Sequence, residues 1–260
     1  MKKRAPRRLW LLIRRIWITI GLLATAVFVG WSLWAYRPTS GALEALRTDD
    51  RVAVIRGQGF WRFEPQPHPD AVGLAFFAGA LVDPRAYAPL ARVIAEGGHP
   101  VLLVELPRRG AFGGANGPEV GARAHRAMLT LPAVRQWVVA GHSLGGAIAA
   151  RLVFEQPTGF AGLVLVGTSH PRDFSLARLP VPVTQIYGTR DTIADVDKLE
   201  ANRHNLPAST RRVPIDGGNH SQFGYYGFQP GDWPATISRE QQQRATVQAI
   251  VEAMRAAAVR

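Results

Sequence analysis

The chain carries a serine in a setting that would make its hydroxyl a nucleophile. The stretch VVAGHSLGGAIAA, residues 138–150, places Ser143 between Gly141 and Gly145, where branched apolar residues give way to an alanine-rich segment. This G-x-S-x-G pattern indicates a tight turn between a strand and a helix, in which larger neighbours would clash with the backbone. Such a turn exposes the serine, and the backbone N–H of Leu144 at the start of the helix is free to stabilise an oxyanion.

A nucleophilic serine needs a base, and the base needs a carboxylate that orients it. After such a turn the two partners are expected in the order Asp then His, at the ends of later strands. Asp191 lies in QIYGTRDTIAD, directly after a predicted strand, and His220 lies in VPIDGGNHSQFG, after the last predicted strand. The sequence therefore predicts that Ser143, Asp191 and His220 form a catalytic triad.

Other histidines and carboxylates compete for two of these roles. His220 is favoured as the base because it alone follows the last strand in a flexible Gly-Gly loop. Asp191 is favoured as the acid because a carboxylate in the turn directly after a strand can reach the base. The alternatives for the base are His142 and His170, and those for the acid are Asp173 and Asp195.

Buried strands and helices must position these residues, and the apolar pattern predicts both. The segments RVAVI and WRFEP predict an opening hairpin. Unbroken apolar runs such as AVGLAFFAG and HPVLLVEL indicate buried strands, and each is followed by a helix candidate, such as PRAYAPLARVIAEGG. This alternation predicts an α/β fold, in which a mostly parallel sheet is covered by helices on both faces.

The motif order and the predicted fold together resemble the α/β-hydrolase superfamily over about residues 50 to 258. The segments FFAGALVDPRAYAPLA and GGNHSQFGYYGFQPGDWPATISREQQ are similar to those of bacterial members that lack a lid and are often anchored in a membrane. The resemblance implies that Ser143 is the nucleophile, His220 the general base and acid, and Asp191 the orienting acid. It implies chemistry that needs no metal and no organic cofactor, and the absence of cysteine excludes a thiolate metal site.

The resemblance also implies an oxyanion hole made of two backbone N–H groups. One is that of Leu144, and the other belongs to the loop after LAFFAGA, where Ala80 is favoured and Leu81 is the alternative. Many relatives carry a His-Gly or Pro-Gly pair at this loop, whereas here Ala78 precedes Gly79. The sequence therefore leaves the choice between Ala80 and Leu81 open.

Basic residues are concentrated at the start of the chain. The formal net charge is +12, but seven of the 31 lysines and arginines lie within residues 1–15, which contain no acidic residue. The rest of the chain has 24 basic residues against 19 acidic ones, a balance that is ordinary for a domain of this size. The charge therefore does not indicate a nucleic-acid partner.

An uncharged stretch, IWITIGLLATAVFVGWSLWAY at 16–36, follows the basic residues and is long enough to cross roughly 30 Å of hydrocarbon as a helix. It predicts a single-pass membrane anchor, with residues 1–15 in the cytoplasm and the remainder outside. A cleaved signal sequence is the alternative, but this stretch is longer than the apolar part of a signal and does not end at small residues. The predicted organisation is a basic head at 1–15, an anchor at 16–36, a connector at 37–50 and a catalytic domain at 51–260.

The predicted function is a membrane-tethered serine hydrolase that acts on small or lipid carboxylic esters. An acyltransferase or a peptidase with the same triad is an alternative, and so is a binding protein that kept the fold without the chemistry. The segment SHPRDFSLARLP is too short for a helical lid, so the site is expected to be open. Four aromatic residues after the base either line the site or pack their loop on the core: Phe223, Tyr225, Tyr226 and Phe228.

Overall fold

A computed structural model of the chain describes residues 7–67, 69–115 and 117–258. Eight strands form one sheet: β1 Val52–Gly57, β2 Phe60–Pro65, β3 Val72–Phe77, β4 Val101–Val104, β5 Gln136–His142, β6 Gly162–Val166, β7 Val183–Gly188 and β8 Arg211–Ile215. Their spatial order is β1-β2-β4-β3-β5-β6-β7-β8. β1 and β2 are the antiparallel hairpin at one edge, and the other six strands are parallel to one another. The predicted opening hairpin and the mostly parallel sheet are thus confirmed.

Helices lie before the sheet and on both of its faces. They are α1 Arg7–Ala35, α2 Ser40–Glu44, α3 Ala88–Glu96, α4 Pro118–Met128, α5 Leu144–Glu155, α6 Val196–Ala201 and α7 Arg239–Ala258. A 3-10 turn, Pro84–Tyr87, leads into α3. The predicted alternation of strands with helices is therefore present along the described part of the chain.

The core has two halves, one on each face of the sheet. Successive residues of β3 point to opposite faces, so Leu74 and Phe76 pack with α3 and α7, while Ala75 and Phe77 pack with α4 and α5. Every residue of β3 is buried, which is why its sequence is an unbroken apolar run. This double burial fixes the end of β3, where the predicted oxyanion loop begins.

The N-terminal helix α1 is longer than the predicted anchor, because it also contains residues of the predicted basic head. Its most apolar window has a mean hydropathy of 1.9, and only 6% of that window is buried. By length and composition it is able to cross a membrane, and a signal sequence near an N-terminus has the same properties.

The end of α1 is attached to the domain. The side chain of Tyr36 is buried in the core, with its ring 5.8 Å from that of Tyr226. The carbonyl of Tyr36 accepts a hydrogen bond from the N–H of Asp83 at 3.0 Å, and the carbonyl of Ala35 accepts one from the N–H of Gly227 at 2.9 Å. The sequence gives no indication of these contacts, since Tyr36 was predicted only as the last residue of the anchor.

Candidate active site

Ser143 lies in the turn between β5 and α5. Its backbone has φ 54° and ψ −119°, a conformation that costs a non-glycine residue on the order of 1–3 kcal/mol. A Cβ on Gly145 would overlap the carbonyl oxygens of Phe77 and Ala78, and a Cβ on Gly141 would overlap Gly145. The glycines therefore let the start of α5 approach the end of β3, and the side chain of Ser143 stays partly exposed.

Asp191 and His220 follow β7 and β8, and the structure brings them together. His220 Nδ1 lies 2.8 Å from Asp191 Oδ2, and both side chains are buried. The other carboxylate oxygen, Oδ1, accepts hydrogen bonds from the N–H of Ile193 at 2.9 Å and the N–H of Ala194 at 2.7 Å. Because a carboxylate only accepts, Nδ1 carries the hydrogen of this bond, and in a neutral imidazole Nε2 would then be the nitrogen with the lone pair.

His220 lies beside the serine turn without a hydrogen bond to the serine. Its ring contacts the ring of His142, the residue before Ser143, with centroids 4.4 Å apart. In the described part of the chain the buried Nε2 of His220 has no hydrogen-bond partner, Ser143 Oγ included. In enzymes without substrate such catalytic hydrogen bonds are often long and tighten only when the substrate binds.

The two alternative acids do not bind His220. Asp173 is exposed and forms an ion pair with Arg151 at 2.9 Å. Asp195 caps α6, where its side chain accepts a hydrogen bond from the N–H of Lys198 at 2.8 Å. Asp191 is thus the one of the three candidates whose carboxylate contacts the imidazole.

The two alternative bases are also placed elsewhere. His142 Nδ1 lies 2.8 Å from the hydroxyl of Tyr87, and both side chains are buried. Burial raises the pKa of Tyr87, while burial first and the electrostatic effect of the adjacent His220 second hold the pKa of His142 well below its ordinary value. Since the tyrosine oxygen already accepts from the N–H of Gly79, its hydroxyl hydrogen is the one available to donate to Nδ1 of the neutral His142. His170 is half-buried in the loop after β6, where burial and Arg172 lower its pKa.

Of residues 79–82 in the loop after β3, one has an N–H group without an acceptor in the described part of the chain. The N–H of Gly79 donates to the hydroxyl of Tyr87 at 3.1 Å, and the N–H of Leu81 donates to the carbonyl of Arg109 at 2.8 Å. Among the residues described, the N–H of Ala80 has no acceptor. The N–H of the first residue of α5 likewise has no acceptor within its helix, because the first four N–H groups of a helix lack one.

Two residues that hold the histidine loop were not predicted from the sequence. Asp232 is buried, and its carboxylate accepts hydrogen bonds from the N–H of His220 at 3.2 Å and from the N–H and hydroxyl of Ser221 at 2.8 and 2.7 Å. Gln242 of α7 is buried as well and hydrogen-bonds to both the N–H and the carbonyl of Asn219, at 3.0 and 2.7 Å. Nothing in the local pattern QPGDWP distinguishes Asp232 from an aspartate that closes a turn.

The four aromatic residues after His220 divide between the two interpretations. Phe223 and Tyr226 are buried in the core, and the ring of Phe223 lies 5.4 Å from that of His142. Tyr225 is half-buried and Phe228 is exposed. Phe223 and Tyr226 therefore pack the loop on the core.

In the residues that the structure describes, no group of three or more His, Cys, Asp or Glu is arranged to hold a metal ion.

The sheet order, the serine turn after β5 and the buried His–Asp pair define an α/β protein of the hydrolase type. The sequence pattern of the alpha/beta hydrolase family matches residues 73–244. The chain therefore belongs to the alpha/beta hydrolase family, as the resemblance predicts, and this membership supports hydrolase activity.

Solved structures share this fold at low sequence identity. The protein TT1662 from Thermus thermophilus is 18% identical with a TM-score of 0.57, and the match covers 78% of this chain and 98% of that one. A monoacylglycerol lipase from Paleococcus ferrophilus is 14% identical with a TM-score of 0.56, covering 77% and 99%. A membrane phospholipase A described as a bacterial virulence factor is 17% identical with a TM-score of 0.50, covering 96% and 99%. No curated protein matches the sequence.

Proposed function

We propose that this protein is a serine hydrolase that cleaves carboxylic esters through an acyl-enzyme on Ser143. The observation that carries the proposal is the buried hydrogen bond of 2.8 Å between His220 and Asp191, beside the serine turn. A buried imidazole that is held in one tautomer by a carboxylate is the base such chemistry needs. In this proposal Asp191 is the orienting acid.

The proposed reaction has two steps. As Ser143 Oγ bonds to the ester carbonyl carbon, its proton passes to His220 Nε2, and Asp191 stabilises the imidazolium that forms. When the tetrahedral intermediate collapses, the bond to the alcohol breaks and the alcohol takes that proton. Water then attacks the acyl-enzyme in the same way, the carboxylic acid leaves and Ser143 regains its hydrogen.

Two backbone N–H groups are proposed to bind the oxyanion, those of Leu144 and Ala80. Leu144 is the first residue of α5, so its N–H is free and the positive end of the helix dipole lies beside it. Ala80 is favoured over Leu81 because the N–H of Leu81 already donates to Arg109. Each such donor contributes roughly 10²-fold or more to the rate of acyl-transfer enzymes.

Lipid or small-molecule esters are the proposed substrates, and α1 is the proposed membrane anchor. Two structural relatives are described as a monoacylglycerol lipase and a membrane phospholipase A, and the second is similar over 96% of this chain. We place residues 1–15 in the cytoplasm and the catalytic domain outside, because seven basic residues precede the apolar stretch, whereas Arg37 is the one basic residue among the ten that follow it. Tethering would raise the effective concentration of membrane lipids at the site.

Hydrolysis of nitrophenyl esters by the purified full-length protein tests the function. The wild type should turn over these esters, and Ser143→Ala should lower kcat by roughly 10⁴-fold or more. Ser175→Ala is the matched control, because Ser175 is exposed in the loop after β6 and should leave kcat unchanged. Equal turnover by the wild type and Ser143→Ala would contradict the proposal.

A further inference from the structure

A groove runs between α4 and α5, beginning next to the serine turn. Its volume is about 880 Å³, and its apolar lining includes Val120, Ala122, Leu144, Ile148, Leu152 and Phe174. We propose that this α4/α5 groove binds the acyl chain of the substrate. The inference rests on the proposed ester hydrolysis and narrows its substrate class to esters of linear fatty acids.

One face of α5 forms the length of the groove. Leu144, Ile148, Leu152 and Glu155 line it, and their spacing of three and four residues places them on the same side of the helix. Ser143 directly precedes the first of them. At a rise of 1.5 Å per residue, the lining face of α5 extends about 16 Å away from the serine turn.

α4 forms the other side of the groove and runs in the same direction as α5. A Cβ on Gly121 would lie 3.1 Å from Leu152 Cδ2, so the two helices approach each other closely at this level. One turn further along both helices, His125 Nε2 lies 3.0 Å from Gln156 Oε1. This polar contact joins α4 to the end of α5, and both of its residues line the groove. In the proposal it limits the length of acyl chain that the groove accepts.

The loop after β6 supplies the third wall. The guanidinium of Arg151 on α5 pairs with Asp173 at 2.9 Å and lies over the ring of Phe174, 4.1 Å from its centroid. These contacts hold the loop against α5. The apolar side chains of the groove follow one another along α5 from Leu144, and its polar side chains are His170 and Asp173 of this loop, Arg151 and Glu155 of α5, and the His125–Gln156 pair.

A linear apolar chain that starts at the ester carbonyl fits the apolar side chains that follow Leu144 along α5. An ester can carry such a chain on its acyl side or on its alcohol side, and the two-step reaction favours the acyl chain as the occupant. The acyl group stays bonded to Ser143 between the steps, whereas the alcohol leaves after the first. A groove that begins at the residue after the nucleophile therefore holds an acyl chain through both steps. Each methylene that enters the groove should raise kcat/KM by up to roughly fourfold, the equivalent of its transfer from water.

A chain-length series tests the groove in the full-length protein in detergent micelles. The substrates are nitrophenyl esters from acetate to palmitate, so that the leaving group is constant. Ala122→Trp should fill the middle of the groove, because Ala122 lines it, is exposed and lies on α4 away from the triad candidates. We expect kcat/KM for the dodecanoate ester to fall about tenfold or more and that for the acetate ester to stay unchanged. Val93→Trp is the control, since Val93 is equally exposed on α3, and it should change neither value.

A second variant acts in the opposite direction. His125→Ala removes the contact with Gln156 and should move the preferred acyl chain to a longer length. Loss of activity on acetate and dodecanoate esters alike in Ala122→Trp, or an unchanged chain-length profile in both variants, would overturn the groove. A second series, acetate esters of alcohols from ethanol to dodecanol, tests the alcohol side, and an effect of Ala122→Trp that is confined to the long alcohols of this series would also contradict the proposal. A wild type that hydrolyses none of the esters would instead overturn the proposed function.

Discussion

The two ring nitrogens of His220 have different surroundings, and this difference decides what a change at Asp191 should do. Nδ1 donates to Asp191, whereas the buried Nε2 has no hydrogen-bond partner among the described residues and is the proposed base. Asp191→Asn would present an amide to Nδ1 and favour the wrong tautomer, so kcat should fall on the order of 10³ to 10⁴-fold with the fold intact. Steady-state kinetics measure kcat, and circular dichroism measures whether the variant is folded. Asp195→Asn and Asp173→Asn should keep most of the activity, and a larger loss in either of them than in Asp191→Asn would reassign the acid.

His142 gives the protein a pH-dependent stability whose sign follows from its pKa. Burial, with the electrostatic effect of the adjacent His220, lowers the pKa of His142 in the folded state, so the unfolded state takes up the proton first as the pH falls below about 6.5. Folding stability should therefore decrease with falling pH, by at most about 1.4 kcal/mol per pH unit for this group. His142→Gln should retain an acceptor for Tyr87 and show a smaller decrease. Urea unfolding at pH 7.5 and 5.5 measures the difference, and an equal loss in both proteins would exclude His142 as its source.

At the scale of elements, the hydroxyl of Tyr87 joins two loops of the site. It accepts from the N–H of Gly79, next to Ala80, and donates to His142, next to Ser143. Tyr87→Phe should leave both groups buried and unpaired, at a cost of about 1–3 kcal/mol each, and should loosen the loop that carries Ala80.

The expected result for Tyr87→Phe is a fall in kcat of roughly tenfold with little change in KM, because the proposed contact of the Ala80 N–H with the oxyanion would form mainly in the transition state. The matched control is Tyr226→Phe, a buried tyrosine whose hydroxyl makes one long hydrogen bond within the described part of the chain, donating to Gln229 at 3.4 Å. If both variants lowered kcat and stability to the same extent, Tyr87 would have a packing role alone.

The strands and helices could be predicted from the sequence because burial on both faces produces unbroken apolar runs, as in β3. Ser143 and Asp191 could be singled out as candidates because each follows such a run, and His220 because it follows the last predicted strand in a Gly-Gly loop. Asp232 could not, since it is twelve residues from His220 in an irregular loop and only the folded chain brings them together. The choice between Ala80 and Leu81 likewise depends on Arg109, which belongs to a different loop.

At the scale of the whole molecule, α1 ends on the catalytic domain and not in a free connector. Tyr36 is buried in the core, and two carbonyls at the end of α1 accept hydrogen bonds from the domain. A fragment that begins at Thr39 should therefore be less stable than one that begins at Trp31, by about 3 kcal/mol or more, the cost of removing a large buried side chain. Neither fragment contains most of the apolar part of α1. The difference in Tm between the two fragments therefore measures the stability that the contacts at the end of α1 contribute. Equal melting temperatures would show that the junction contributes no stability.

The central claim is that Ser143 forms a covalent acyl-enzyme, and adduct mapping tests it most directly. The full-length protein is treated with a fluorophosphonate, digested and analysed by mass spectrometry. We predict one adduct, on the peptide that contains Ser143, which is absent from Ser143→Ala and strongly slowed in His220→Ala, because the hydroxyl then has no base. An adduct on another residue, or no adduct on the wild-type protein, would contradict the account.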